Sequence, residues 1–192
     1  RLGILGEWND PYITLKPAYE GDQIRVFAKM VERGLIYKGL KPVFWSPSSE
    51  TALAEAEIEY KDVEDTSIYV AFKAKQVPEP LKNAHFVIWT TTPWTLPANR
   101  AISVHPNFNY ALVEVDGKQY IIAEALFDHV TETLAWKDAK ILDTFKGHTL
   151  EHMTYEHPLF DLECPLILGE HVTAEDGSGL VHTAPGHGED DY

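Results

Sequence analysis

Residues 87–104 fix the local chain path more firmly than any other stretch. An apolar run, Val87-Ile88-Trp89, enters three consecutive threonines, Thr90-Thr91-Thr92. Pro93 and Pro97 then bracket Trp94, Thr95 and Leu96, and Asn99 precedes a second apolar run, Ala101 to Val104. A helix is disfavoured across this segment: threonine is stiff at χ1, and Pro93 pushes Thr92 into an extended conformation. The sequence therefore predicts a strand, a rigid loop and a strand. The loop presents hydroxyls, a large aromatic and an amide, an inventory suited to a small ligand with one apolar and one polar end.

A second stretch complements the first. In Gly177-Ser178-Gly179-Leu180-Val181-His182-Thr183-Ala184-Pro185-Gly186-His187-Gly188-Glu189-Asp190-Asp191-Tyr192, a short apolar strand centred on Val181 delivers His182 to a Gly/Pro-rich loop ending in carboxylates. Glycine lets the backbone approach a ligand or a facing loop closely. Two such loops are expected to form opposite walls of one pocket.

From about Ile58 the pattern is mainly β. Ile68–Phe72 and His85–Trp89 read as strands, and Tyr110–Val115 and Lys118–Ile122 flank Asp116-Gly117, a strong two-residue hairpin signal. Residues 125–134 fit a short helix, and further short strands are expected near 140–145, 149–154, 165–168 and 179–183. Ahead of this, 18–33 reads as an amphipathic helix with Ile24, Phe27, Ala28 and Val31 on one face and Gly34 as its stop. Strand-like runs at 35–37 and 42–45 and a turn at 46–50 follow. The expected fold is mainly β (α+β): a small, partly closed β-barrel with peripheral helices, over residues 58–192. A helix-containing connecting arm, 1–57, precedes it.

A hydrophobic content of 44% indicates an ordinary folded core. No apolar run approaches the roughly 20 residues of a membrane helix, and no signal-peptide pattern is present, so no membrane partner is expected. The one cysteine, Cys164, excludes an internal disulfide and fits a reducing, cytoplasmic setting. Net charge is −14, with residues 1–45 carrying seven Lys/Arg against five Asp/Glu and residues 46–192 nine against twenty-five. Such an acidic globule is not expected to grip an RNA body by itself, although it can accept one flexible 3′ end held by other domains.

The Trp-Thr-Thr-Thr-Pro-Trp-Thr-Leu-Pro-Ala-Asn string at 89–99 resembles the threonine-rich peptide of the editing domain inserted in the isoleucyl branch of the class I aminoacyl-tRNA synthetases. The string at 177–192 resembles the second editing motif of that family, and residues 45–60 resemble the segment leading into the insertion. The two signatures of the synthetase catalytic core, His-Ile-Gly-His and Lys-Met-Ser-Lys-Ser, do not occur, nor does a phosphate-cradling loop. The resemblance thus implies a piece of a longer enzyme, with no cofactor in this fragment; ATP and possible zinc belong to the remainder of the parent synthetase. Ser46 and Ser49 stand where some relatives carry a Cys-x-x-Cys zinc knuckle, and hydroxyls are poor zinc ligands, so no metal is expected there.

The implied task is proofreading. A pocket selecting isoleucine rejects valine weakly, because one methylene is worth only ~1–3 kcal/mol, a magnitude known for this family's own discrimination and not obtained from these residues. A second site that admits valine and hydrolyses the mischarged ester on the tRNA 3′ end resolves this. The resemblance assigns the ammonium anchor to Asp191, with Glu189 and Asp190 as alternatives. It assigns the walls of the valine slot to Trp94, Thr95 and His182, His182 acting either by bulk or as a base. Thr91 and Thr92 supply hydroxyls to the terminal adenosine, the ester carbonyl or the attacking water, with Thr90 and Thr183 as further binding residues. Asn99 either donates to the substrate or caps the loop. The absence of a Ser/His/Asp triad favours direct water attack. Two other readings remain: a metal-dependent hydrolase using His182, His187, Glu189, Asp190 and Asp191, or a non-catalytic module that positions the tRNA 3′ end.

Overall fold

The computed structural model describes residues 3–192. They divide into two compact units, Arg1–Lys41 and Pro42–Tyr192. The first contains helix α1 (Pro17–Glu32), which starts with proline in its first turn, where the missing N–H costs nothing. Gly34 at φ +70° ends it, with Leu35 N–H on the Met30 carbonyl and Gly34 N–H on that of Val31, the paired bonds of a Schellman stop. No residue of α1 is buried. The run at 35–37 is not a strand.

The second unit opens with a hairpin of two short strands, β1 (Trp45–Ser46) and β2 (Thr51–Ala52), around the expected turn. Of the 42–45 run, only Trp45 enters a ladder. The remaining strands are β3 (Ile68–Lys73), β4 (Ala84–Thr90), β5 (Ala101–Val104), β6 (Asn109–Val115), β7 (Lys118–Ala123), β8 (Lys140–Lys146), β9 (Thr154–Glu156), β10 (Glu163–Leu168) and β11 (Leu180–Thr183). A five-stranded sheet has the order β3-β4-β7-β6-β8, and a four-stranded sheet the order β11-β5-β10-β9. An isolated bridge between Ala74 and Tyr155 ties them together. The fold is mainly β as expected; among the described residues, strand pairing closes no complete ring.

Local chemistry accounts for most of these elements. Asp116 (φ 49°) and Gly117 (φ 75°) form the β6–β7 turn, the backbone hand that keeps two twisted strands together. The expected helix at 125–134 is a 3₁₀ turn, Glu124–Leu126, running into α2 (Phe127–Thr133). The strand expected at 149–154 instead starts at the end of a 3₁₀ turn, Gly147–Leu150, and pairs only from Thr154. Gly147 sits so close to the His105 carbonyl that a Cβ there would lie 1.9 Å from the oxygen, an approach no other residue allows. The core, which includes Phe72, Phe86, Ile88, Ile102, Tyr110, Ile121 and Tyr155, is almost fully removed from water. Its alternating and continuous apolar runs are those that define the strands.

Candidate functional site

Strand pairing joins the two loops. β11 runs antiparallel to β5 with His182 opposite Ile102 and Thr183 opposite Ala101. The Arg100 N–H extends the ladder to the Thr183 carbonyl at 2.9 Å. Because β5 directly follows the threonine loop, this register places His182 beside a loop more than eighty residues away in sequence. The loop itself is a 3₁₀ turn, Pro93–Ala98. Its entry is tightened by Thr92 N–H on Thr90 Oγ1 (3.0 Å) and Thr95 N–H on the Thr92 carbonyl (3.0 Å).

The two loops enclose a cavity of about 470 Å³, within the range of small-molecule sites. The threonine-loop wall carries Trp89, Thr90, Thr91, Thr92, Trp94 and Thr95; the opposite wall carries Val181, His182, Ala184, His187, Gly188 and Asp191. The cavity thus gathers seven sequence-predicted residues: Thr90, Thr91, Thr92, Trp94, Thr95, His182 and Asp191. Trp94 is 63% exposed and stands at the mouth. The Thr91 hydroxyl makes no hydrogen bond within the described residues and is free for a ligand.

Of the three candidate carboxylates, only Asp191 lines this cavity. Its Oδ2 accepts the Ala184 N–H at 2.8 Å, leaving Oδ1 for a cation. Gly188 makes that posture possible, since a Cβ at this position would come within 2.8 Å of the Asp191 carboxylate carbon.

His182 is 9% exposed, and both ring nitrogens are engaged. Nε2 lies 2.9 Å from Thr95 Oγ1, and Nδ1 lies 2.7 Å from Asn99 Nδ2. Burial lowers its pKa; Asp191 pulls the other way, while His157 and His187 reinforce the lowering. The ring is therefore held neutral. Both ring nitrogens are thus engaged by protein partners, and the ring forms part of the cavity wall.

Two predicted substrate contacts lie behind the wall instead. Asn99 is 1% exposed, bonded to Ala101 O, His182 and Tyr155. Thr183 is buried and shares a 2.8 Å hydrogen bond with Ser103 Oγ. Neither lines the cavity; their side chains are taken up behind it, Asn99 by Ala101, His182 and Tyr155 and Thr183 by Ser103. Sequence reasoning did not single out Trp89, Val181, Ala184 and Gly188 as lining residues; their nearness to the motifs was the available signal. It also missed Tyr155, which belongs to no motif and reaches the site only through sheet order.

Comparison with known proteins gives a consistent picture. Residues 1–160 match the family described as tRNA synthetases class I (I, L, M and V). An isoleucine–tRNA ligase of Acholeplasma laidlawii (strain PG-8A) is 61% identical over 192 residues, covering all of this chain and 21% of that protein. One from Enterococcus faecalis (strain ATCC 700802 / V583) is 58% identical over 193 residues, with the same coverage. The chain thus spans about a fifth of the length of these relatives. A crystal structure named GlLeuRS-CP1 superposes with a TM-score of 0.52 at 15% identity, over 62% of this chain and 55% of that one, a likeness of fold alone.

Proposed function

The chain belongs to the class I tRNA synthetases of the I, L, M and V group, and on that premise we propose that the cavity between the two loops is a hydrolytic editing site. It takes the mischarged 3′ end of a tRNA for isoleucine and removes valine by direct attack of water on the aminoacyl ester. The activity belongs to residues 58–192 of a longer cytoplasmic ligase, with 1–57 as the connecting arm. The observation that carries this reading is the composition of one cavity: an anchoring carboxylate, free and bound threonine hydroxyls, and a neutral histidine wall, contributed by two motifs distant in sequence.

Each group has a role in this reading. The substrate's α-ammonium binds Asp191 Oδ1. The apolar side chain sits against Trp94, Thr95 and the His182 ring, whose fixed position limits its size. Thr91, with Thr92, orients the attacking water or donates to the developing oxyanion; positioned hydroxyls do this at neutral pH with no change of charge. Among the described residues no three His, Cys, Asp or Glu side chains are arranged to hold a metal ion, so no observation favours the metal-hydrolase reading.

The test is an NMR titration of the 192-residue chain with a non-hydrolysable valyl-adenosine analogue and its isoleucyl counterpart. The valyl compound is expected to shift Thr91, Trp94, His182 and Asp191 and to bind roughly 10- to 200-fold more tightly than the isoleucyl one. Binding of neither, or equal binding of both, overturns the proposal.

A further inference from the structure

We propose that Tyr155, outside both motifs, is a positioning residue of this site: acting through Asn99, it holds His182 in the Nε2–H tautomer with a fixed ring orientation. The functional consequence rests on the editing reading; the relay itself is a matter of hydrogen-bond direction.

The Tyr155 hydroxyl donates to Asn99 Oδ1 at 2.5 Å, which fixes which end of the amide faces which way. The NH₂ end then has one proton for the Ala101 carbonyl at 3.0 Å and one for His182 Nδ1 at 2.7 Å. Nδ1 must therefore accept. On the other side of the ring, Thr95 gives its hydroxyl proton to the Thr92 carbonyl at 2.8 Å, so its oxygen accepts from Nε2 at 2.9 Å. Two independent partners demand the same tautomer. An imidazolium, or the Nδ1–H form, would press a ring proton against the amide protons of Asn99.

Tyr155 is itself immobilised. It is fully buried, packs edge-on against Phe72 with ring centroids 5.1 Å apart, and sits opposite Cys164 in the β9–β10 ladder. Burial raises its pKa far above the ordinary tyrosine value, so the hydroxyl keeps its proton. Burial also raises the pKa of the neighbouring Cys164 thiol and keeps it protonated, so no thiolate competes for the Tyr155 proton. The result is a one-way run of hydrogen bonds from Tyr155 through Asn99, His182 and Thr95 to the Thr92 carbonyl.

The charged and titratable groups that act on His182 are Asp191, His157 and His187. They and burial bias its charge, but none of them chooses between the two neutral tautomers. That choice belongs to the amide, whose orientation Tyr155 sets together with the Ala101 carbonyl. With Tyr155 released, only the Ala101 carbonyl holds the amide; where Asn99 turns over, the ring proton moves to Nδ1 and the Thr95 proton moves from the Thr92 carbonyl to Nε2. The Pro93–Ala98 turn would then lose a tether at its entry, and the size limit of the cavity would loosen.

The decisive experiment is long-range ¹H–¹⁵N NMR of the histidine rings in the ¹⁵N-labelled 192-residue chain at pH 7, paired with analogue titrations. The wild-type chain is expected to show His182 as Nε2–H; an Nδ1–H or charged ring overturns the proposal outright, whatever the variants do. Tyr155→Phe, which keeps the ring and removes the hydroxyl, is expected to bring in the Nδ1–H form and to lower the valyl-over-isoleucyl preference several-fold. Asn99→Asp is expected to drive the ring to Nδ1–H or imidazolium and serves if Tyr155→Phe fails to fold. A His182 signature unchanged in a folded variant overturns the relay, and if valyl-selective binding persists, the editing reading stands without it. A tautomer switch in a chain that binds neither analogue leaves the relay standing and removes the editing reading.

Discussion

At the scale of single residues, the site separates charge from bulk. Asp191 carries the charge and His182 the bulk, and each can be removed alone. His182→Ala opens the far wall, so hydrolysis of correctly charged isoleucyl ester is expected to appear while valyl hydrolysis persists; a deacylation assay on both esters checks this. Asp191→Asn keeps the shape and removes the ammonium's counter-charge. It is expected to lower kcat/KM for valyl ester by roughly 10- to 150-fold, the worth of a hydrogen bond to a charged group. Histidine burial also makes a pH prediction. His182 and His157 have lowered pKa values, mainly from burial, so the unfolded chain binds more protons as pH falls through the ordinary histidine value of about 6.5. Their contribution is a loss of stability that begins there and grows until the folded-state pKa is reached. His157→Gln is therefore expected to flatten the dependence of unfolding free energy on pH between about 7 and 5, measured by urea denaturation.

At the scale of elements, the site depends on how β11 is seated. Gly179 enters β11 at φ +74°, and a Cβ there would lie 2.3 Å from the Ala123 Cβ at the end of β7. The neighbouring Ser178 carbonyl accepts the Ala123 N–H at 2.8 Å, and the Tyr110 hydroxyl donates to the Gly179 carbonyl at 2.9 Å, so the segment cannot back away. Gly179→Ala combines backbone strain with overpacking and is expected to cost roughly 2–4 kcal/mol. That corresponds to a fall in Tm of about 4–16 °C by calorimetry. The threonine loop is held differently. Pro93 begins its 3₁₀ turn with φ already set, and the hydroxyls of Thr90 and Thr95 bond back to the loop's own backbone, so its stiffness is local.

At the scale of the whole molecule, stability is uneven. Among the described residues, the unit from Pro42 to Tyr192 holds every buried apolar one, whereas α1 buries none and leaves Ile24, Val26 and Phe27 more than half exposed. A 16-residue helix without a packed face is marginal in water. Amide exchange by mass spectrometry is therefore expected to be fast across 17–32 and slow in β4, β6 and β7, with protection differing by orders of magnitude. The charge is uneven too, the acidic excess lying wholly in residues 46–192, which fits the proposed role of accepting a tRNA end rather than its body.

The sequence alone determined what short-range chemistry controls: the hairpin at Asp116-Gly117, helix α1 with its glycine stop, the mainly β character, and two ligand-suited loops containing Thr91, Trp94, His182 and Asp191. Each follows from propensities and spacings that act within a few residues. Only the tertiary structure decided which side of the sheet each residue faces. The β5–β11 register brought the loops together, left Asn99 and Thr183 out of the cavity lining, and put Asp191, already preferred among three neighbouring carboxylates, on the cavity wall. Sheet order then placed Tyr155 and Cys164, from strands with no motif, behind His182. Pairing between distant strands is set by the packing of the whole core, so no local pattern encodes those contacts.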